Sequence, residues 1–164
     1  MKYDALVKLF EEANENFINT DGHLFREDLS ERTLCGALML HIRDLMKKDM
    51  AFDGYHVDVE YNRNEGDIKT LSNSNIFCDL IVHRCGEQDN LIALEMKKAT
   101  NSSKSKGSDL KRLEELTSEQ NGYKYVLGIY YKINHEKQCI MIKYYTSGAE
   151  KSEYSRLLKS SKEI

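Results

Sequence analysis

Apolar residues recur along this chain with two different periods, and the switch between them marks out most of its elements. From Lys2 to Phe17, Leu6, Leu9, Phe10, Ala13 and Phe17 fall at three- and four-residue steps, one face of a helix. Asn19-Thr20-Asp21-Gly22 ends it. A second helix is expected from Ser30, a good N-cap, to about Lys48, with Leu34, Leu38, Ile42 and Leu45 along one side. From Tyr55 to Tyr61 the period becomes two, with Val57, Val59 and Tyr61 on one side and Asp58 and Glu60 on the other, which predicts a strand. Asn62 to Asn75 is polar and is expected to be a long loop.

Two apolar runs follow, Ile76 to His83 and Leu91 to Lys97, and the polar stretch between them predicts a hairpin with a long loop. Thr100 to Gly107 predicts a loop. Ser108 caps a helix carrying Leu110, Leu113 and Leu116 that stops near Gly122. Tyr123 to Lys132 and Gln138 to Thr146 predict two more strands. The tail from Glu150 to Ile164 has only Tyr154, Leu157 and Leu158 as anchors and is expected to form a short helix at best. The order is helix, helix, three strands, helix, two strands, an α/β (α+β) chain. No repeat or low-complexity block divides it, so residues 1–164 are expected to form one domain.

The composition agrees with a globular domain: 164 residues, 40% hydrophobic and 31% charged, with a net charge of −3. The longest run without a charge, ten residues from Thr33 to Ile42, is far short of the ~20 apolar residues a membrane helix needs. Met1-Lys2-Tyr3-Asp4 leads into charged helical sequence rather than an apolar signal segment, so the default expectation is a cytoplasmic location and no membrane partner. Cys35, Cys78, Cys85 and Cys139 lie within or beside apolar stretches without a CxxC pair, and are expected to be reduced core thiols rather than zinc ligands. His23, His41, His56, His83 and His135 are scattered and are expected to be surface or satisfied core residues.

Chemistry enters where charge interrupts the apolar strands. In Leu91–Lys97, strand alternation puts Leu91, Ala93, Glu95 and Lys97 on one face. Asp79 interrupts the neighbouring strand between Phe77-Cys78 and Leu80-Ile81-Val82. Burying such groups costs free energy unless each has a partner or a cation. Across a hairpin, neighbours on one face stand about 5 Å apart, so two carboxylates and an ammonium converging there suggest a divalent-metal site with oxygen ligands. Glu31, three residues before Leu34 and seven before Leu38, stands at the head of the apolar stripe of the second helix and is placed to point at the sheet. An acid in the first turn of a helix is also favoured by the dipole alone, and Glu95 with Lys97 would equally make a structural ion pair. Three acid-x-Lys tripeptides occur, about the number chance gives, and only Glu95-Met96-Lys97 lies in an apolar strand.

Cys78-Asp79-Leu80-Ile81-Val82-His83, then fifteen intervening residues between Asp79 and Glu95, then Leu94-Glu95-Met96-Lys97, resembles the PD-(D/E)xK, or restriction-endonuclease-like, nuclease superfamily. Cys78 stands where the motif's name has Pro. The family's core order of helix, three strands, helix and strand matches residues 30–132, flanked by the N-terminal helix 2–17 and the C-terminal segment 138–164. The resemblance implies a mixed central sheet flanked by helices and a metal-dependent nuclease cutting phosphodiester bonds, in DNA first. Asp79 and Glu95 would be metal ligands, Lys97 the lysine beside the attacking water, and Glu31 the acid many members carry on the helix before the sheet. Mg²⁺ or Mn²⁺ would be held by Asp79, Glu95, Glu31 and the carbonyl of Met96. The alternative is a catalytically inactive fold of the same kind that binds nucleic acid or protein.

Although the whole chain is acidic, Lys97 to Arg112 carries six basic residues against one acid, a local net of +5. Lys98, Lys104, Lys106, Lys111 and Arg112 are therefore expected to follow a phosphate backbone, with Arg63 as a further contact. Homodimerisation is left open.

Overall fold

The computed structural model describes residues 2–159 except 26, 28, 62, 65, 66, 69, 72, 73, 76, 100–105 and 121. For 63, 64, 67, 68, 70, 71, 74, 75, 106 and 159 it describes the backbone only. Among the described residues three α-helices, α1 (Tyr3–Asp21), α2 (Glu31–Met46) and α3 (Lys106–Thr117), accompany a mixed sheet. Its strands are β1 (His56–Tyr61), β2 (Cys78–His83), β3 (Asn90–Lys98), β4 (Leu127–Asn134), β5 (Cys139–Thr146), β6 (Ala149–Glu150) and β7 (Arg156–Lys159). The order across the sheet is β1-β2-β3-β4-β5, with β6 and β7 both pairing with β5. β3 and β4 run parallel, and every other pairing is antiparallel. Parallel neighbours need a crossover, and α3 supplies it.

The helices cover both faces. On one, Phe10 and Phe17 of α1 and Leu34, Leu38 and Ile42 of α2 bury the sheet residues Leu80, Val82, Leu94, Met96 and Tyr131. Ser30 starts α2 as expected, its hydroxyl accepting the Thr33 amide at 3.2 Å. On the other face Leu113 and Leu116 of α3 cover Ile81, Ala93, Tyr130 and Tyr145. The sheet lies so close to α3 here that a Cβ on Gly128 would stand 2.9 Å from Thr117 Cγ2.

Several expectations are corrected. The tail is strand rather than helix: β7 pairs with β5 from Arg156↔Ile142 to Lys159↔Cys139, because the outer edge of β5 offers a ladder of backbone partners. Tyr123 and Tyr125 are buried but precede β4, which begins at Leu127. The helix expected from Ser108 begins at Lys106 and ends at Thr117. Within the expected loop 62–75, Arg63–Asn64 pairs with Asp67–Ile68 and Thr70–Leu71 with Ser74–Asn75. Cys35 and Cys78 are buried thiols, whereas Cys139 is half-buried and Cys85 exposed. No helix among the described residues is long and apolar enough to cross a membrane.

Candidate active site

The β2–β3 hairpin ladder runs as far as Leu80↔Leu94. Beyond that pair the Asp79 carboxylate takes over from the backbone, accepting the Met96 amide at 2.8 Å. This bond fixes Asp79 beside the end of β3, where Glu95 and Lys97 emerge. Glu31, the first residue of α2, approaches from the helix and accepts the Lys98 amide at 2.8 Å. The Lys97 ammonium sits between the two acids, 3.6 Å from Asp79 Oδ2 and 3.7 Å from Glu31 Oε2. Glu60 of β1 adds no further carboxylate: its backbone takes a φ of 51° and its side chain turns to Arg32 on α2, 2.6 Å away.

Glu95 lies deeper, with 1% of its side chain exposed. Arg112 Nη1 of α3 donates to its Oε1 at 3.0 Å, while Oε2 is buried without a hydrogen-bond partner among the described residues. The same guanidinium stands 3.7 Å from Asp109, whose buried Oδ2 is likewise unpartnered. The cluster thus runs from enclosed Glu95 outward to Asp79, Lys97 and Glu31, whose side chains are 26%, 22% and 35% exposed.

The electrostatics follow from this gradient. Burial, with the Asp79 charge adding to it, pushes the Glu95 carboxyl up to about 8 against the pull of Arg112. Burial raises Asp79 as well, partly offset by Lys97 and the Met96 amide. Burial works against the Lys97 ammonium, yet Asp79 and Glu31 together hold its pKa above the ordinary value. Groups with their proton affinities displaced in this way cluster at functional sites.

Of the residues singled out in the sequence, Asp79, Lys97, Glu31 and the Met96 backbone meet directly, and Glu95 joins them from below. Among the described residues the three acids do not bring one oxygen each within 4.8 Å of one another. Arg112, expected on a phosphate track, turns inward to Glu95 and Asp109 instead. Lys111 is exposed and lies 3.8 Å from Glu115. Lys98 is half-buried, its amide used by Glu31. Lys104 and the side chains of Lys106 and Arg63 lie outside the described residues.

Sequence reasoning misses Asp109 and the inward role of Arg112. The signal is present: Asp109, Leu113 and Leu116 stand at positions i, i+4 and i+7, so the stripe that buries the leucines also buries the acid and brings Arg112 along its edge. A pocket of about 260 Å³ opens next to the cluster, lined by Lys98, Leu29, Leu34, Ile133 and His135. The chain matches no protein-family model, and no curated protein matches it.

Proposed function

We propose that the protein is a metal-dependent nuclease with a restriction-endonuclease-like core that hydrolyses phosphodiester bonds in DNA. The observation that carries the reading is Glu95: a buried carboxylate with an oxygen that has no hydrogen-bond partner among the described residues, next to Asp79 and on the same strand as Lys97. Once ionised, Glu95 has Arg112 at Oε1 and leaves Oε2 open to a second cation. Asp79, Glu95, Glu31 and the Met96 carbonyl would supply an all-oxygen donor set of the type Mg²⁺ and Mn²⁺ prefer, the acids closing in from their wider spacing. When bound, such an ion supplies charge stabilisation at the scissile phosphate and a hydroxide nucleophile near neutral pH.

The chain's own groups supply the rest. Lys97, with Asp79 and Glu31 to hold it, stays protonated and is placed to orient the attacking water and offset charge as it builds on the phosphate. Asp79 is locked by the Met96 amide, so its carboxylate is pre-positioned rather than free to swing. Arg112 steadies Glu95 without enclosing both of its oxygens. Helix, three antiparallel strands, crossover helix and parallel strand follow one another in the order the resemblance implies, with the charged cluster at the start of the second strand and the end of the third.

The Arg112–Glu95 pair also favours a second reading, a nuclease-like fold that binds nucleic acid without cutting, because the arginine takes an oxygen that a metal would use. Incubating the pure protein with linear, circular, branched and single-stranded DNA and with RNA, in Mg²⁺, Mn²⁺ or EDTA, separates the two. Metal-dependent cutting of DNA supports the enzyme. Retention of nucleic acid with no cutting in either metal supports the binding module.

A further inference from the structure

A second group of ligating side chains lies near the start of β1, away from the acidic cluster. Among the described residues, Asp58, His83 and Cys85 are the one group that brings three ligand atoms within 4.8 Å of one another. The topology explains the meeting. In the antiparallel β1–β2 ladder, His56 pairs with His83 and Asp58 with Ile81, so the side chains of His56, Asp58 and His83 rise from one face. β2 ends at His83, and the turn that follows brings Cys85 back over the same spot.

The geometry distinguishes a metal site from a catalytic relay. His83 Nε2 lies 2.9 Å from Asp58 Oδ2 and 4.0 Å from Cys85 Sγ. In a nucleophile–base–acid relay the acid and the nucleophile use opposite nitrogens of the imidazole. Here both face the same nitrogen, as ligands do when they share a cation. Tetrahedral Zn²⁺, with bonds of about 2.0–2.3 Å, sets its ligand atoms about 3.4 Å apart for N and O and about 3.6 Å for N and S. The observed separations differ from these by about half an ångström or less, within reach of small side-chain rotations. The imidazole is already fixed: His83 is 4% exposed, and its ring packs on Tyr61 with centroids 4.5 Å apart. Asp58 and Cys85 stay accessible, which gives an ion an entry path.

We infer that Asp58, His83 and Cys85 form a binding site for Zn²⁺ or a similar thiophilic divalent cation, with water or His56 in the fourth position. The thiolate and imidazole select against Mg²⁺, so this site and the all-oxygen cluster take different ions. A bound ion ties β1 to the turn after β2, and it gives exposed Cys85 and buried His83 a role beyond those of a reduced thiol and a satisfied core histidine.

Reduced, metal-stripped protein is titrated with Co²⁺, then with Zn²⁺ in competition. One Co²⁺ per chain should produce a thiolate-to-cobalt charge-transfer band and the visible bands of a four-coordinate site, and Zn²⁺ should erase both. Cys85→Ser should abolish the charge-transfer band and weaken Zn²⁺ binding by more than about a hundredfold, beyond the effect of removing a group that only hydrogen-bonds to a ligand. Cys139→Ser and Glu95→Gln should leave both unchanged, which separates this site from the acidic cluster. Asp58→Asn, at an accessible position, should weaken Zn²⁺ binding while leaving the far-ultraviolet circular dichroism intact. The inference is overturned if wild type shows no thiolate-to-cobalt band, or if Cys85→Ser keeps it.

Discussion

Replacing Glu95 with Gln should make the metal-free protein more stable at alkaline pH, although it removes a residue of the proposed metal site. The folded protein holds this carboxyl at about 8, against an ordinary value of 4.5. A group whose folded pKa is raised contributes stability that is complete below its unfolded pKa and is lost as the pH climbs through the folded one. For Glu95 that window runs from about pH 4.5 to about pH 8. At about 1.4 kcal/mol for each tenfold change in proton affinity, the full loss is on the order of 5 kcal/mol, a third or more of the stability of many domains. Gln keeps the shape and can still accept from Arg112, but it cannot ionise. Asp79, raised in the same direction, remains in both proteins, so the variant retains part of the slope. Urea unfolding in EDTA at intervals from pH 5 to 9 measures the difference. The two proteins should lie within about 1 kcal/mol of each other at pH 5 and separate by several kcal/mol at pH 8.5. Mn²⁺ at about a hundred times its dissociation constant should then return about 2.7 kcal/mol to wild type and much less to the variant. Parallel stability curves across the whole range would refute the reasoning.

Arg112→Met keeps much of the bulk but removes the charge that holds Glu95 down, so the Glu95 carboxyl resonance in a ¹³C NMR titration should move its midpoint above the wild-type value. Neutralising Lys104, Lys106 and Lys111 together should weaken DNA binding alike for all sequences and lower the salt slope by about 0.9 for each phosphate the protein no longer neutralises; an unchanged slope removes this segment from the interface. Gly128→Ala should cost about 1–3 kcal/mol in urea unfolding. The new methyl meets Thr117 at 2.9 Å, and Thr117 is held by its hydroxyl's 2.8 Å bond to the Leu113 carbonyl.

The parts of the fold that could be read from sequence are those where one period dominates. Leu34, Leu38 and Ile42 can only share a helix face, and Val57 and Val59 a strand face, so α2 and β1 are legible without any tertiary knowledge. β7 is not: Tyr154, Leu157 and Leu158 fit a helical spacing, and only the outer edge of β5 decides otherwise. The acids of the candidate site stand out because a charge in an apolar strand needs a reason. Arg112 does not, because a basic residue on a polar helix has an ordinary reason to be there. Its role depends on which side of α3 meets the sheet, a property of the packed molecule. The meeting of His83 with Cys85 and Asp58 likewise depends on a ladder register and a turn that no local pattern specifies.

The central claim is that Asp79, Glu95 and Lys97 form a metal-dependent hydrolytic site. Its most direct test is a time course of DNA cleavage in Mg²⁺ for wild type, Glu95→Gln and Lys97→Ala purified side by side, with DNA binding measured on the same samples. The account predicts cutting by wild type that EDTA stops, and a loss of a hundredfold or more in both variants, about the 3 kcal/mol expected when a transition-state interaction is removed, with binding retained. Equal cutting by all three proteins, or no metal-dependent cutting of any DNA by wild type, would contradict it.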